Sequence, residues 1–282
     1  MWTSSRAGKV SRPESVGEAA VTVSAADRVC EAFPRLAAHA FLRAGFSPPT
    51  TDDVAVLVFD TAAWLDQVVA AEHLLDTGEC QRAARFRFAH DRVAYVLAHA
   101  MWRSVLGWCL GCEAAAVRIT STSTGQPQLP GTPWATSLSH SGSWVAVAVG
   151  RTAVVGVDIE RSPPLRALND LVSTVCTPRE AIDMCALPPA EREHAMLRLW
   201  TRKEALLKAF GTGLSGPPPA TFEALPGACV APPPELACPP CSVHELPLPT
   251  AVVGALAVPV GSGKRYLHIL DRPMAGDGSA GE

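Results

Sequence analysis

The sequence predicts an α+β fold, and three observations carry that prediction. Short apolar runs rich in β-branched residues, Val54 to Phe59, Trp144 to Gly150, Ala153 to Val157, Val252 to Val260 and Tyr266 to Leu270, have the length and composition of strands. Two longer stretches, Arg82 to Leu110 and His194 to Phe210, repeat apolar residues at helical spacing. An internal echo links them: Thr77-Gly78-Glu79 precedes Trp102 by about as much as Pro178-Arg179-Glu180 precedes Trp200, each time ahead of a helical pattern.

Taken in order, residues 1–50 mix Ser, Ala, Pro and scattered charges, ending in Ser47-Pro48-Pro49-Thr50, and read as a poorly ordered extension. Residues 51–152 form a first α+β half: the Val54 strand, a helical stretch from Trp64 to Leu75, the long helix, and the Trp144 strand. Residues 153–272 form the second half. Its long helix ends at Gly211 and Gly213, which supply a stop. Three proline runs, Pro217-Pro218-Pro219, Pro232-Pro233-Pro234 and Pro239-Pro240, precede the last two strands. Residues 273–282, rich in Gly, read as a flexible tail.

Composition narrows the function classes. With 282 residues, 48% of them hydrophobic, the chain can bury one large core or two smaller ones. A net charge of −3 gives no pull toward nucleic acid or a membrane surface. The stretch from Met1 to Cys30 has no apolar signal region, and no run approaches the roughly 18 apolar residues of a spanning helix, so a soluble, cytoplasmic protein is expected. Nine cysteines, an odd number, are expected as reduced thiols. Cys109-x-x-Cys112 and Cys238-x-x-Cys241 lie too far apart in sequence for a compact zinc site.

The chemistry concentrates in two stretches. In Val155-Gly156-Val157-Asp158-Ile159-Glu160, strand alternation points Asp158 and Glu160 to one face and returns Ile159 to the core. Paired hard oxygen ligands suit Mg²⁺, although a bare D-x-E is more often a strand ending in solvated acids. In Trp200-Thr201-Arg202-Lys203-Glu204-Ala205-Leu206-Leu207-Lys208, Trp200, Glu204 and Lys208 fall at i, i+4, i+8 on one helical stripe. Alone, Glu204 and Lys208 are an ordinary surface pair. Between Glu79 and Arg103 lie Arg82, Arg85, Arg87, Arg92 and Arg103 against two acids, with Arg92, His99 and Arg103 on one helical face. Such a face is a solvated surface or a phosphate surface.

Together the two stretches resemble the Sfp-type 4′-phosphopantetheinyl transferases, which read G-[VI]-D-[IVL]-E followed by W-x-x-K-E-[AS]-x-x-K. The resemblance extends through Ser137-Leu138-Ser139-His140-Ser141, similar to the family's S-H-S segment, and Gly125-Gln126-Pro127, similar to its G-K-P loop. It also takes in Arg85-Phe86, Asp91-Arg92 and Trp102-Arg103-Ser104-Val105-Leu106. It covers about residues 75 to 215. It implies two similar halves in pseudo-twofold arrangement, each a small antiparallel sheet packed with a long helix, with coenzyme A in the cleft between them. It further implies a monomer that transfers 4′-phosphopantetheine to a serine of an acyl, peptidyl or polyketide carrier protein. Asp158, Glu160 and Glu204 are then the Mg²⁺ ligands, and Glu204, Lys208 and Lys203 the catalytic groups. His140 is the contact to the 3′-phosphate of coenzyme A, with Ser137, Ser139, Gly125, Gln126, Arg82, Arg92 and Arg103 around the ligand. Gln126 departs from the cation usual in the G-K-P loop, since an amide brings no charge.

Overall fold

The computed structural model describes residues 25–164, 168, 171–213 and 216–272. The expectations for residues 1–24 and for the tail at 273–282 lie outside these. Within the described residues the fold is α+β, with two four-stranded sheets, a 22-residue helix on each, and a two-stranded ribbon of β2 (Thr120–Ser121) and β3 (Pro127–Gln128).

The first sheet orders its strands β10-β1-β5-β4, where β1 is Val54–Asp60, β4 Ala135–Ser141, β5 Trp144–Gly150 and β10 Arg265–Ile269. Alternation sorts its side chains. Ala55, Leu57, Phe59, Val145, Val147 and Val149 face one core with the helices α1 (Ala25–Arg43), α2 (Val68–Glu72) and α4 (Ala89–Leu110). Val54, Val56, Val58, Ala146 and Ala148 face the second sheet instead.

The second sheet orders its strands β6-β9-β8-β7, all antiparallel: β6 is Gly156–Arg161, β7 Cys229–Val230, β8 Cys241–Glu245 and β9 Val252–Pro259. Val157, Ile159, Val252, Leu256 and Val258 complete the core between the sheets. Val243, Ala255 and Ala257 pack outward against α7 (Pro189–Phe210). Each buried Val or Leu stabilises the fold by about 1.5–3 kcal/mol, and the three cores bind helices, sheet, sheet and helix into successive layers.

Two expectations are corrected. The stretch from residue 25 onward is no loose extension: α1 and its sequel bury Phe33, Ala37, Ala40, Phe41 and Phe46 against α4 and the first sheet. The spacing of these residues is helical, but Ala-rich composition and Pro34 obscured it. The first sheet is mixed rather than antiparallel, because the C-terminal strand β10 crosses over and pairs parallel with β1. A finer difference concerns α4. It begins only at Ala89, after a separate helix α3 (Thr77–Ala83), and it is long and apolar enough to cross a membrane by length and composition, with 67% of its apolar window buried inside the protein.

One device occurs in both halves. Asp76 caps α3 in a capping box with Glu79, and Thr177 caps α6 (Pro178–Ala186) in a capping box with Glu180. Each box glutamate then holds a buried cation of the neighbouring 22-residue helix: Arg103 Nε donates to Glu79 at 2.6 Å, and Lys203 Nζ to Glu180 at 2.5 Å. The echo in the sequence is thus a pair of helix-capping ion pairs.

Candidate active site

Gly156 determines how β6 and α7 meet. A Cβ there would lie 2.0 Å from the carbonyl oxygen of Ala205 and 2.5 Å from the nitrogen of Ala209, so the strand backbone runs directly against the helix. Asp158 and Glu160, two and four residues on, share that face. They therefore meet the next stripe of α7, which carries Trp200, Glu204 and Lys208. Lys208 Nζ donates to Asp158 Oδ1 at 2.8 Å.

The β6 backbone is also tied to the first sheet, through side chains. Ser137, Ser139 and Ser141 alternate along β4, and their hydroxyls accept from the N–H groups of Val157, Ile159 and Arg161 at 3.1, 3.3 and 3.1 Å. These edge N–H groups are thereby satisfied at the seam of the two sheets. Ser139 Oγ also donates to Asp158 Oδ1 at 2.8 Å, and Ser141 Oγ to Glu160 Oε2 at 2.5 Å.

Burial, with neighbouring negative charge, raises the proton affinity of both glutamates. Burial, and then the neighbouring Asp158, push Glu204 up to about 7, with Lys208 opposing. Burial also raises Glu160, against hydrogen bonds from Ser141 and the Trp200 side chain. Asp158 Oδ2 and Glu204 Oε1 are buried without a hydrogen-bond partner. Such orphaned oxygens are costly unless a cation or donor completes them. Among the described residues no group of three His, Cys, Asp or Glu side chains is arranged to hold a metal ion by itself.

Above this cluster opens a cleft of about 350 Å³ between the halves. Arg82, Ser137, His140, Gly125, Gln126 and Lys208 line it, and Phe86, Tyr95, His99 and Trp102 form an aromatic end. His140 is accessible from the surface yet walled in by the cleft; desolvation, and then Lys208, hold its imidazole below the usual histidine range. A larger cavity of about 450 Å³, lined by residues such as Leu129, Trp134, Val154 and Leu236, holds none of the carboxylates, histidines or lysines. The chemistry belongs to the smaller cleft.

Two family models tile most of this structure. One described as 4′-phosphopantetheinyl transferase superfamily matches residues 154–234, and one described as 4′-phosphopantetheinyl transferase, N-terminal, matches residues 62–152. The chain belongs to the 4′-phosphopantetheinyl transferase superfamily. Among curated relatives, the 4′-phosphopantetheinyl transferase HetI of Nostoc sp. (strain PCC 7120) is 36% identical over 146 residues, 50% of this chain and 61% of HetI. The 4′-phosphopantetheinyl transferase Sfp of Bacillus subtilis (strain 168) is 28% identical over 138 residues, 49% of this chain and 60% of Sfp. The alignments span about three fifths of the length of these relatives.

Within this superfamily member, several residues assigned from sequence to the ligand or to catalysis are engaged in other contacts. Arg103 is fully buried, and its guanidinium is held by Glu79, Asp76 and the carbonyl of Val117. Arg92 lies on the surface, paired with Glu72 at 2.7 Å. Lys203, adjacent to Glu204 but about 100° around the helix, is 0% exposed and donates to Glu180 and to the carbonyls of Val175, Pro219 and Phe222. It fastens the segments after β6 to α7 and touches neither the carboxylates nor the cleft. Ser139 is engaged with Asp158 and Ile159 rather than with the cleft. Gln126 does line the cleft, and its amide closes the C-terminal end of α7, donating to the carbonyls of Lys208 and Ala209 at 3.2 Å each. An uncharged double donor suits that carbonyl pair.

Sequence reasoning missed three contributors: Gly156, Ser141, and the aromatic end of the cleft with His99. The Nδ1 of His99 lies 2.8 Å from Glu79 Oε1, and Tyr95 stacks on its ring. A glycine inside a strand signals close backbone approach, and that signal stood in the sequence at Gly156. Ser141 stood in the S-H-S segment and His99 on the face of Arg92 and Arg103, but neither pattern gave them a role.

Proposed function

We propose that the protein transfers 4′-phosphopantetheine from coenzyme A to a serine hydroxyl of an acyl, peptidyl or polyketide carrier protein, with Mg²⁺, releasing adenosine 3′,5′-bisphosphate. One observation carries this reading: buried, partnerless oxygens of Asp158 and Glu204 sit beside Lys208, at the foot of a cleft lined by His140 and Arg82. The printed activity of the relatives, HetI and Sfp, supports the transfer chemistry.

Asp158, Glu160 and Glu204 fit Mg²⁺ as hard oxygen donors with free lone pairs. Mg²⁺ takes only one or two protein carboxylates and draws its other ligands from water and phosphate, so a protein set short of a full cage suits it. When bound, it would offset the negative charge of the diphosphate. Lys208 presents its ammonium to the phosphoryl oxygens while anchored on Asp158. Glu204, held near neutrality, takes the proton of the attacking serine, since a base works best with an affinity close to the working pH. The neutral ring of His140 donates an N–H to the 3′-phosphate, and Arg82 adds charge at the same cleft.

The paired capping-box ion pairs support a pseudo-twofold relation between the halves. Cleft walls drawn from one chain support action as a monomer, and the net charge of −3 supports the absence of nucleic-acid and membrane partners. Free cysteines support a cytoplasmic location. The test is chromatography of nucleotide products from coenzyme A and Mg²⁺ with and without an apo carrier protein. Adenosine 3′,5′-bisphosphate should appear only with the carrier; release without it would show a diphosphate hydrolase, and no release under either condition a binding protein.

A further inference from the structure

The three hydroxyls of β4 share one register with β6 but not one set of partners. Each serine accepts from an N–H 20 residues further along the chain: Ser137 from Val157, Ser139 from Ile159, Ser141 from Arg161. Two of them also donate to the side chain 19 residues further along. For Ser139 that is Asp158, and for Ser141 it is Glu160. For Ser137 the corresponding position is Gly156, which has no side chain to receive it.

A hydroxyl suits this place because one small atom both accepts and donates. The lone pair is spent on a backbone that two sheets hold rigid, so the remaining O–H direction is set by the strand and not by the rotor. That direction meets Asp158 Oδ1, where Lys208 also donates, and Glu160 Oε2. Asp158 Oδ2 is left without a hydrogen-bond partner, as is Oε1 of Glu204. Asp158 is thus gripped on one oxygen with the other left for a ligand, while Glu160 is gripped on Oε2 by Ser141 and steadied by the Trp200 side chain.

We infer that Ser139 and Ser141 are positioning residues that orient Asp158 and Glu160 for a divalent cation, each pinned through its own lone pair to the β6 backbone. This rests on the metal reading proposed above. Outer hydrogen-bond partners of this kind typically change metal affinity by about 10–100-fold. Ser137, which makes the same seam contact with no carboxylate, is the built-in control.

Mn²⁺ titrated into the full chain, alone and with coenzyme A, and followed by loss of the free-ion paramagnetic resonance signal, reads the affinity directly. Thermal melts in chelator read the seam. Ser139→Ala and Ser141→Ala should each weaken Mn²⁺ by roughly tenfold or more. Ser137→Ala should lower the melting temperature comparably and leave the affinity for Mn²⁺ without coenzyme A unchanged, and Ser141→Thr, which keeps the hydroxyl, should bind Mn²⁺ as the wild type does. If Ser139→Ala does not fold, the half-buried Ser141 and its two variants decide the matter. Wild-type affinity in the alanine variants at 139 and 141, or an equal loss in Ser137→Ala, overturns the positioning role and leaves the metal site standing. No protein-dependent Mn²⁺ signal in the wild type overturns the metal reading and this inference with it.

Discussion

Replacing Glu204 by glutamine should stabilise the metal-free protein while abolishing its proposed activity. Burial and Asp158 raise the Glu204 carboxyl from 4.5 to about 7. A raised acid stabilises the folded state through its bound proton, fully below about pH 4.5, and loses that contribution as the pH climbs through about 7. At about 1.36 kcal/mol per unit the ceiling is on the order of 3 kcal/mol, and access of water to the open cleft reduces it to about 2 kcal/mol. Glutamine stays neutral at every pH. For a chain of this size about 1 kcal/mol moves the melting temperature by about 2–4 °C, so Glu204→Gln in chelator should melt about 4–8 °C above wild type at pH 8 and with it at pH 4.5. Excess Mg²⁺ should close the gap at pH 8, because the wild type offers the cation a third carboxylate, at position 204, that the variant lacks. Melts by circular dichroism across pH 4.5–8 check this. Equal destabilisation at all pH values would show that Glu204 is not a strained carboxylate.

Three further outcomes follow from the packing. His140→Ala should weaken coenzyme A by roughly ten- to a hundredfold, the worth of a charge-assisted hydrogen bond, and 3′-dephospho-coenzyme A far less; equal losses by calorimetry would remove His140 from the site. Lys203→Met leaves Glu180 buried and unpaired, so urea denaturation should show a loss of about 3–5 kcal/mol, while the folded variant keeps its affinity for coenzyme A; a selective loss of affinity would restore Lys203 to the site. Gly156→Ala places a methyl 2.0 Å from the Ala205 carbonyl, and displacement of α7 should remove both Mn²⁺ binding and turnover; a variant with wild-type melting temperature and activity contradicts the contact.

What the sequence disclosed depended on periodicity. Asp158 and Glu160 are two apart on a strand, Glu204 and Lys208 four apart on a helix, and the spacing alone puts each pair on one face. Periodicity does not say which face meets the cleft and which the core. Arg103 and Lys203 were therefore misassigned: both are long cations on long helices, and both are spent on the capping-box glutamates Glu79 and Glu180. The parallel pairing of β10 with β1 joins residues more than two hundred apart, and no local pattern records it. Helix α1 was hidden for a different reason, since alanine marks a buried face only weakly.

The most direct measurement is the intact mass of an apo carrier protein after incubation with this protein, coenzyme A and Mg²⁺, beside a carrier whose acceptor serine is alanine. The proposed reaction predicts that the first gains one phosphopantetheine group and the second nothing, and that Glu204→Gln yields no gain on either. An unmodified carrier, tested across fatty-acid, polyketide and peptide types with coenzyme A present throughout, would contradict it.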